Sequence, residues 1–328
     1  MIVTRTPLRI PLGGGGTDLP SYYRCYGGFL VSAAINKYVY ITVNKRFEDS
    51  IRVSYARTEI VDCVEQIEHP IVREALKLLG VERGLEIVSM ADLPSNTGMG
   101  SSGSFTVGLL QALHCLKRET APPQQLAEEA FHVEAEVLGE PVGKQDQYIA
   151  AFGRITALEI DPDGHVEAAP LELQEEVIEQ LESDAMLFYT GIQRPASEVL
   201  GDQQQALSEG QADVAQSLHA IKAIGREVAG ALQAGDLPRF GELLQAHWEA
   251  KKRTSTKIST SEVDRWYALA RENGAVGGKL MGAGGGGFLM FYCPNHDKAR
   301  LRQAMSAEGL REMRFAVDND GSKVIVNV

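Results

Sequence analysis

Apolar and polar residues alternate along the first part of the chain in the way that β-strands require. Residues 29–47 form a long, largely alternating stretch rich in aromatic and β-branched residues, and residues 51–55 continue the pattern. Before them, Ile2-Val3 and Leu8-Arg9-Ile10 predict two short strands, because Pro7 between them lacks the N–H group that a strand donates. The opening of the chain is therefore predicted to be mainly strand.

Further along, apolar residues recur at helical spacing, and short apolar strands lie between the helices. Helices are predicted over 71–79, after Gly103, from Pro123 to near Gly139, and over 203–233, 237–252, 261–273 and 297–307. Strands are predicted over 85–88, 154–160, 165–168, 185–189 and 288–292, and near Phe315 and Val324. The acidic segment 172–182 has the composition of a solvated helix or linker. These elements predict an α+β protein of two domains, 1–175 and 176–328.

Composition narrows the class of protein without identifying a function. The chain has 328 residues, 44% of them hydrophobic and 23% charged, as in ordinary soluble proteins. Its net charge of −12 argues against a general nucleic-acid binder. No apolar run approaches the roughly 18 residues of a membrane span, and the first residues predict a strand, not a secretory signal. Four scattered cysteines without metal-ligand spacing predict free thiols, as in a cytoplasmic protein. Together with the charge and the lack of a long apolar run, this leads us to expect neither nucleic acid nor membrane as a partner.

Glycines cluster in three loops, and the middle one is the most informative. Residues 94–103, the phosphate loop, follow an apolar strand and open a helix. Backbone N–H groups in such a loop, together with the positive end of the helix, attract an anion, and a nucleotide phosphate is the obvious candidate. A simple turn with a helix N-cap is the alternative.

The phosphate loop contains G-x-G-x-x-G at Gly98, Gly100 and Gly103, yet it does not fit a dinucleotide site. The six residues 91–96 intervene between the strand and the glycines, where a tight turn is required, and the downstream acid, Glu119, ends a helix. The P-loop pattern and the protein-kinase signatures are absent from the sequence. The loop is therefore predicted to cradle phosphate in some other way.

Phosphoryl transfer also needs a metal and a group that orients or deprotonates the attacking hydroxyl. Magnesium prefers oxygen ligands and keeps several waters, so one hydroxyl, from Ser101 or Ser102, and one carboxylate can suffice. Glu134 and Glu136 both lie on the flanks of the apolar face of their helix, and periodicity does not choose between them. Asp146 precedes an apolar run and is a candidate base, with a first-turn helix acid as the alternative.

The remaining glycine clusters complete a set of three ordered motifs. Gly13–Gly16 precede Thr17 and Asp18, whose side chains suit hydroxyl recognition, and we interpret residues 13–18 as a substrate loop, with a flexible connector as the alternative. Gly282–Gly287 belong to the third cluster, 277–287, which runs into a strand. The three motifs together resemble those of the GHMP kinases: P-x-x-x-G-L-G-S-S with Met99 in place of leucine, a G-A-G-x-G-G stretch, and Thr6-Pro7-Leu8-Arg9 followed by G-G-T-D.

The resemblance covers essentially the whole chain and implies an ATP-dependent phosphotransferase. The implied fold has an N-terminal domain like domain 2 of ribosomal protein S5 and a ferredoxin-like C-terminal domain, with ATP between them. Within the family, four stretches look like those of the D-glycero-D-manno-heptose 7-phosphate kinases, and fucokinase-type domains share much of the pattern. The stretches are 7–10, 14–20, 143–148 and 278–287.

The family pattern also implies roles for individual residues. Asp146, in a G-x-x-D element, would orient or deprotonate the sugar hydroxyl, and Arg9 would neutralise charge near the γ-phosphate or lower the pKa of that hydroxyl. Glu134, five residues before the helix-ending Gly139, would hold Mg²⁺ together with Ser102. The ATP phosphates would be bound by Gly98, Met99, Gly100, Ser101, Ser102, Gly103 and Ser104. The substrate would be bound by Gly15, Gly16, Thr17, Asp18, Arg194, Gly284 and Gly285.

The implied reaction is the phosphorylation of the anomeric hydroxyl of D-glycero-D-manno-heptose 7-phosphate to the 1,7-bisphosphate, with ATP and Mg²⁺. Two alternatives stay open, a kinase for an unphosphorylated fucose- or galactose-type sugar and a non-catalytic ATP- and sugar-binding sensor. The presence of Asp146, Glu134 and Arg9 favours catalysis. A 7-phosphate requires basic residues in the site, but spacing selects none of the candidates, Arg24, Lys45, Arg194 and Lys251-Lys252-Arg253. Assembly as a homodimer is a further possibility.

Overall fold

The computed structural model describes residues 1–193, 196–208 and 212–328, with the backbone alone at 196–198, 206 and 208. The strands are β1 (Ile2–Gly13), β2 (Gly28–Lys45), β3 (Ile51–Ser54), β4 (Thr58–Val61), β5 (Leu85–Ala91), β6 (Ile155–Ile160), β7 (Val166–Pro170), β8 (Ala185–Tyr189), β9 (Gly277–Leu280), β10 (Phe288–Tyr292), β11 (Arg311–Met313) and β12 (Lys323–Asn327).

Helices pack against both sheets. They are α1 (Pro20–Tyr26), α2 (Pro70–Leu78), α3 (Ser101–Leu116), α4 (Pro123–Phe131), α5 (Gln145–Phe152), α6 (Glu175–Asp184), α7 (Ala196–Ser208), α8 (Ala212–Gln233), α9 (Leu237–Lys252), α10 (Ser261–Glu272) and α11 (Lys298–Ala307). A 3₁₀ helix lies at Val64–Gln66, and a π-helix at His132–Val137 directly continues α4.

The larger sheet is organised around strand β2. Its strand order is β12-β1-β2-β5-β3-β4, and β6 pairs with the first half of β2 and carries β7 on its other edge. Helices α3 and α5 pack against β1 and β2, and buried side chains of α3 such as Val107, Leu110 and Leu113 fill this core. The sheet therefore supports the beginnings of both helices.

Strand β1 runs without interruption from Ile2 to Gly13, so the prediction of two strands separated at Pro7 was wrong. The chain accommodates the prolines by shifting register against β2, once between Pro7 and Leu8 and again between Pro11 and Gly13. Such irregularities let a proline sit in a strand without losing a ladder hydrogen bond. Arg9 is thereby carried on a continuous strand.

The smaller sheet is antiparallel, with the order β11-β8-β10-β9. Numbered by appearance, this is the 4-1-3-2 order of a ferredoxin-like domain, as the resemblance implied. Helices α7 to α10 occupy the connection between the first two strands of this sheet. Residues 277–280, which we predicted as part of a glycine loop, instead form strand β9, because the side chains of Lys279 and Leu280 are buried against neighbouring elements.

The two sheets are joined more closely than a simple linker would allow. Helix α8 packs on β1 and β2, where a Cβ atom on Gly225 would lie 2.9 Å from the Cα atom of Gly14. Strand β12 returns to the larger sheet and pairs with β1. The domain boundary that we propose at residue 175 coincides with the beginning of helix α6. Strand β12 comes after this boundary in the sequence but belongs to the larger sheet.

Candidate active site

The phosphate loop is held by direct backbone contact with the third glycine cluster. Gly98 and Gly282 both have positive φ, and a Cβ atom on Gly282 would lie 2.4 Å from the Cα atom of Gly98. At Gly287, also at positive φ, a Cβ atom would lie 2.2 Å from the carbonyl oxygen of Thr97. Only glycine allows two backbones to approach this closely. The two motifs that the sequence placed far apart thus form one unit.

Helix α3 begins directly after Gly100, which adopts the left-handed conformation. The first N–H groups of a helix have no partner within it and carry its partial positive charge, so this end suits a phosphate. Gly103, in the first turn, lies against the beginning of α5, where a Cβ atom would come within 2.8 Å of the Cβ atom of Asp146. The two helix N-termini are therefore adjacent.

Asp146 and Arg9 form a partly buried ion pair next to the phosphate loop, in which the Arg9 side chain is buried and that of Asp146 is 30% exposed. The Nε and Nη2 atoms of Arg9 lie 2.8 and 2.7 Å from Oδ1 of Asp146. Arg9 also donates from Nη1 to the carbonyl oxygen of Gly98, at 2.6 Å, and from its backbone N–H to that of Met99, at 3.0 Å. Both bonds to Asp146 fall on Oδ1, so within the described ranges Oδ2 accepts no hydrogen bond, and Asp146 lines the cavity.

Glu134 is the buried carboxylate on the other side of the phosphate loop. Its Oε2 atom accepts a hydrogen bond from the Ser102 hydroxyl at 2.5 Å, and its Oε1 atom accepts one from Nε2 of Gln147 at 3.0 Å. Burial raises the pKa of Glu134 to about 7, and the negative charge of Asp146 adds to the rise. Within the described part of the chain no lysine or arginine pairs with Glu134.

Glu134 lies in the π-helix 132–137, which explains why a 100° helical wheel did not separate it from Glu136. A π-helical turn holds more residues than an α-helical turn, so side chains after Phe131 point elsewhere than the wheel assumes. Glu134 faces the cavity, whereas Glu136 is exposed and contacts His132 at 2.6 Å. The single helix predicted from 123 to 139 is thus an α-helix followed by a π-helix.

A buried carboxylate without a cationic partner, bonded to a hydroxyl at the edge of a phosphate cradle, is a donor set that fits a hard divalent cation. Across the described residues, no three His, Cys, Asp or Glu side chains cluster as a metal site. Magnesium does not need such a cluster, since it takes one or two protein oxygens besides phosphates and waters.

The substrate loop contributes Gly15, Gly16 and Asp18 to the cavity. Asp18 is buried, which raises the pKa of its carboxyl above the usual value. Its Oδ1 atom accepts the N–H of Gly16 at 2.9 Å, and its Oδ2 atom accepts that of Gln145 at 3.0 Å. A Cβ atom on Gly143 would come within 2.0 Å of Oδ2, so glycine is required there. Asp18 therefore joins the loop to the beginning of α5.

Several predicted site residues do not face the cavity. The Thr17 hydroxyl is buried, 2.9 Å from the carbonyl oxygens of Gly14 and Phe29. Gly284 and Gly285 pack against the backbone of Ile258. The Met99 side chain lies in the core, and only its backbone carbonyl serves the site. Arg194 lies outside the described residues.

Ser104 also points away from the cavity. Its hydroxyl is fully buried and donates to the carbonyl oxygens of Pro7 and Gly100, at 2.7 and 3.1 Å. Ser104 lies three positions after Ser101 in the helix, so the two side chains point in only roughly the same direction. The Ser104 side chain points to strand β1. Ser104 therefore holds α3 on the sheet and does not bind phosphate through its side chain.

Substituting Ser104 with alanine is expected to lower the free energy of unfolding by about 1–2 kcal/mol, because buried carbonyl oxygens lose their donor. Urea unfolding measures this change. The KM for ATP should stay within about twofold of wild type, since no net binding hydrogen bond is removed. A large rise in the KM for ATP at unchanged stability would instead indicate that the Ser104 hydroxyl binds an ATP phosphate.

The cavity residues without a predicted role include Gln145, Gln147, His247 and Lys279, and Lys251 was only one of several basic candidates. Gln145 and Gln147 line the cavity with a buried Nε2 and a buried Oε1 atom, respectively, that have no partner in the described chain. His247, Lys251 and Lys279 line it from α9 and β9. The sequence carried a signal for His247, because Leu244 and His247 recur at helical spacing on the buried face of α9.

Comparison with known proteins identifies the family of the chain. The family described as "GHMP kinases N terminal domain" matches residues 61–154, and "GHMP kinases C terminal" matches residues 228–310. D-glycero-alpha-D-manno-heptose 7-phosphate kinase of Campylobacter jejuni is 30% identical over 337 residues, which cover 98% of each chain. Galactokinase of Pyrococcus furiosus is 27% identical over 91% of this chain and 90% of its own.

A solved structure gives the same result for the fold. The structure of a D-glycero-D-manno-heptose 1-phosphate kinase from Bacteroides thetaiotaomicron superposes with a TM-score of 0.82 at 25% identity and covers all of both chains. Among the described residues, no helix is long and apolar enough to cross a bilayer. The chain therefore belongs to the GHMP kinases, as an ATP-dependent sugar kinase of that family.

Proposed function

We propose that the protein transfers the γ-phosphoryl group of ATP to the anomeric hydroxyl of D-glycero-D-manno-heptose 7-phosphate and releases the 1,7-bisphosphate. The observation that carries the proposal is the Asp146–Arg9 pair, which lies beside the N-terminus of α3 and lines a cavity together with several other polar side chains. The heptose 7-phosphate kinase of Campylobacter jejuni, aligned over 98% of both chains, supports the choice of sugar.

The residues divide the reaction between them. ATP phosphates bind to the N–H groups at the beginning of α3, and the rigid contact between Gly98 and Gly282 keeps that cradle in place. The free Oδ2 atom of Asp146 accepts the proton of the sugar hydroxyl as its oxygen forms a bond to the γ-phosphorus. The bond between that phosphorus and the bridging oxygen of ADP breaks. Arg9 holds Asp146 through Oδ1 and places a positive charge beside the transferring group.

Glu134 and Ser102 are the residues that would hold Mg²⁺. A bound magnesium ion supplies positive charge that stabilises the phosphate oxygens during transfer. Binding needs the ionised form of Glu134, whose pKa of about 7 without a cation means that burial disfavours the charged carboxylate. A cation at this position removes that penalty.

The cavity itself suits a polyhydroxylated sugar. Buried amide atoms of Gln145 and Gln147 lack partners in the described chain, and such atoms are stabilised when a ligand supplies hydrogen bonds. Asp18 and the backbone of Gly15 and Gly16 face the same space. A hydroxyl-rich ligand satisfies these groups better than an apolar one.

The test is a substrate panel. Purified protein is incubated with ATP, Mg²⁺ and either D-glycero-D-manno-heptose 7-phosphate, the unphosphorylated heptose, mannose 6-phosphate, galactose or fucose, and ADP release is measured. We expect kcat/KM for the heptose 7-phosphate to exceed that for the unphosphorylated heptose by about 100-fold or more, as a buried charged recognition group allows. Phosphorus NMR should show a new anomeric phosphate, and chelation of Mg²⁺ should stop turnover.

Turnover with galactose or fucose but not with the heptose 7-phosphate would overturn the proposed substrate, although the protein would still be a sugar kinase. Full turnover after exhaustive chelation would overturn the metal role of Glu134 and Ser102. A product phosphorylated at a position other than the anomeric carbon would overturn the proposed acceptor hydroxyl.

A further inference from the structure

We propose that Lys251, Lys279 and His247 form a binding site for a phosphate group already carried by the acceptor sugar. The inference rests on the proposed function and extends it, because it assigns the part of the substrate that is not transferred. None of these residues takes part in the phosphoryl transfer described above.

The three side chains converge from two elements onto one end of the cavity. Helix α9 packs against strand β9, and His247, Lys251 and Lys279 all line the cavity where these elements meet. The Nζ atom of Lys279 donates to the carbonyl oxygen of Leu12 at 3.3 Å, and that of Lys251 donates to the carbonyl oxygen of Gly282. An ammonium group has three donors, so each lysine keeps two for a ligand.

His247 is the sign that a polar ligand belongs here. Its side chain is only 2% exposed, yet neither ring nitrogen has a hydrogen-bond partner in the described chain. A buried polar group without a partner destabilises the folded state, and native structures contain few of them. A phosphate oxygen would supply the missing partner.

Charge points in the same direction. Across the described ranges, no carboxylate lies within 4.0 Å of Lys251 or Lys279. Burial lowers the pKa of Lys251 to about 8, and the charge of Arg9 lowers it further while that of Asp18 opposes the shift. The pKa of Lys279 falls well below its ordinary value because of burial and the charges of Lys251 and Arg9. A buried and a half-buried lysine without a carboxylate partner are stabilised by an anion that enters the cavity.

The position favours the phosphate of the sugar over those of ATP. Arg9 faces the phosphate loop through Gly98, and Asp146 influences the carboxyl of Glu134. The lysines instead lie on α9 and β9, outside the phosphate loop and the beginning of α3. Glu134, the Asp146–Arg9 pair and the lysines therefore line one cavity, and the lysines come from other elements than the one assigned to the ATP phosphates. A sugar whose anomeric hydroxyl meets Asp146 extends its far end toward the lysines.

Calorimetry of the full chain without ATP tests the site directly. Wild-type protein should bind D-glycero-D-manno-heptose 7-phosphate about 100-fold more tightly than the unphosphorylated heptose, and mannose 6-phosphate more tightly than mannose. Lys279→Met and Lys251→Met should each weaken binding of the phosphorylated sugars by about 30-fold, with unphosphorylated sugars and ATP changed by less than about threefold. Lys252→Met is the matched control, since Lys252 lies on the same helix but pairs with Glu249 on the surface.

Two further measurements separate a binding role from a structural one. Lys279→Met should raise the melting temperature of the free protein, because it removes a buried cation that has no carboxylate partner. Binding of the phosphorylated sugar to wild type should take up protons at pH 8, visible as a dependence of the binding enthalpy on the ionisation enthalpy of the buffer. Lys251 and Lys279, influenced by Arg9, Asp18 and each other, are the groups that gain them.

The outcomes distinguish this inference from the proposed function. If the heptose 7-phosphate is not phosphorylated but mannose 6-phosphate binds in a Lys279-dependent way, the proposed function fails and the phosphate site stands. Equal binding of phosphorylated and unphosphorylated sugars by wild type would overturn the site. So would an equal loss of ATP affinity in the two methionine variants, or a lower melting temperature for Lys279→Met.

Discussion

Replacing Asp146 with asparagine is expected to lower kcat by about a thousandfold, while the affinity for ATP stays within about twofold of wild type. Asparagine keeps an oxygen that accepts the two hydrogen bonds from Arg9 at 2.7 and 2.8 Å, so the position of the side chain is preserved. It lacks only the ability to accept a proton from the sugar hydroxyl. A positioned general base contributes about 3–5 kcal/mol to the barrier, which corresponds to this loss in rate.

The measurement is steady-state ADP release with saturating ATP and sugar, together with ATP affinity by calorimetry. Asp320→Asn is a matched control, because Asp320 pairs with Lys323 and Arg5 on the surface far along the sheet. If Asp146→Asn retained kcat within about threefold of wild type, the carboxylate would not act as the base, and the role of the Asp146–Arg9 pair would reduce to orientation.

The second large effect is expected at Gly282, whose substitution by alanine should lower the free energy of unfolding by about 3–5 kcal/mol. Two causes combine. Alanine at a positive φ near +67° costs about 1 kcal/mol, and its Cβ atom would lie 2.4 Å from the Cα atom of Gly98. Relief of that clash must move the phosphate loop, so kcat/KM for ATP should fall by about a hundredfold in the protein that remains folded.

Gly309→Ala is the control that isolates the clash. Gly309 has a similar φ of +83°, but a Cβ atom there would have no heavy atom within 4 Å. It should therefore show only the conformational cost of about 1 kcal/mol and normal kinetics. Equal losses of stability in the two variants would mean that the phosphate loop and the third glycine cluster can move apart with little loss in the free energy of unfolding.

Much of the fold was predictable because the periodicity of long elements is strong. The long strand β2, the helix after Gly103 and helices α9 and α10 were all expected near their observed bounds. The interruption at Pro7 was not, because register shifts between β1 and β2 depend on the partner strand, which a local pattern does not include. Strand β9 was hidden for a similar reason, since glycines that pack against a neighbouring strand look like a loop in sequence.

For the site, motifs located the right segments but not the direction of each side chain. Thr17 and Ser104 lie within motifs that line the cavity, yet their hydroxyls bond to backbone carbonyls on the opposite side. Glu134 was selected by resemblance and not by periodicity, because the π-helix changes the angular step. The roles assigned to Asp146, Arg9 and Glu134 stay predictions until the variants are measured.

The basic residues show a different limit. Lys251 was one of several candidates for a second phosphate, but spacing gave no reason to prefer it over its neighbour Lys252. The structure separates them, since Lys251 faces the cavity and Lys252 pairs with Glu249 at 3.1 Å. The sequence placed Lys279 only within a glycine-rich motif and predicted no role for it. A lysine inside a buried strand was the available signal, and it becomes visible only once the strand is recognised.

The pairing of β12 with β1 affects the order in which the protein is built. Strand β1 carries Arg9, but one of its edges stays uncovered until residues 323–327 have emerged from the ribosome. Pairing across such a sequence distance closes late and slowly, and an open strand edge invites association with other chains. The nascent chain therefore holds an unfinished catalytic sheet until strand β12, which follows far behind β1 in the sequence, has been translated.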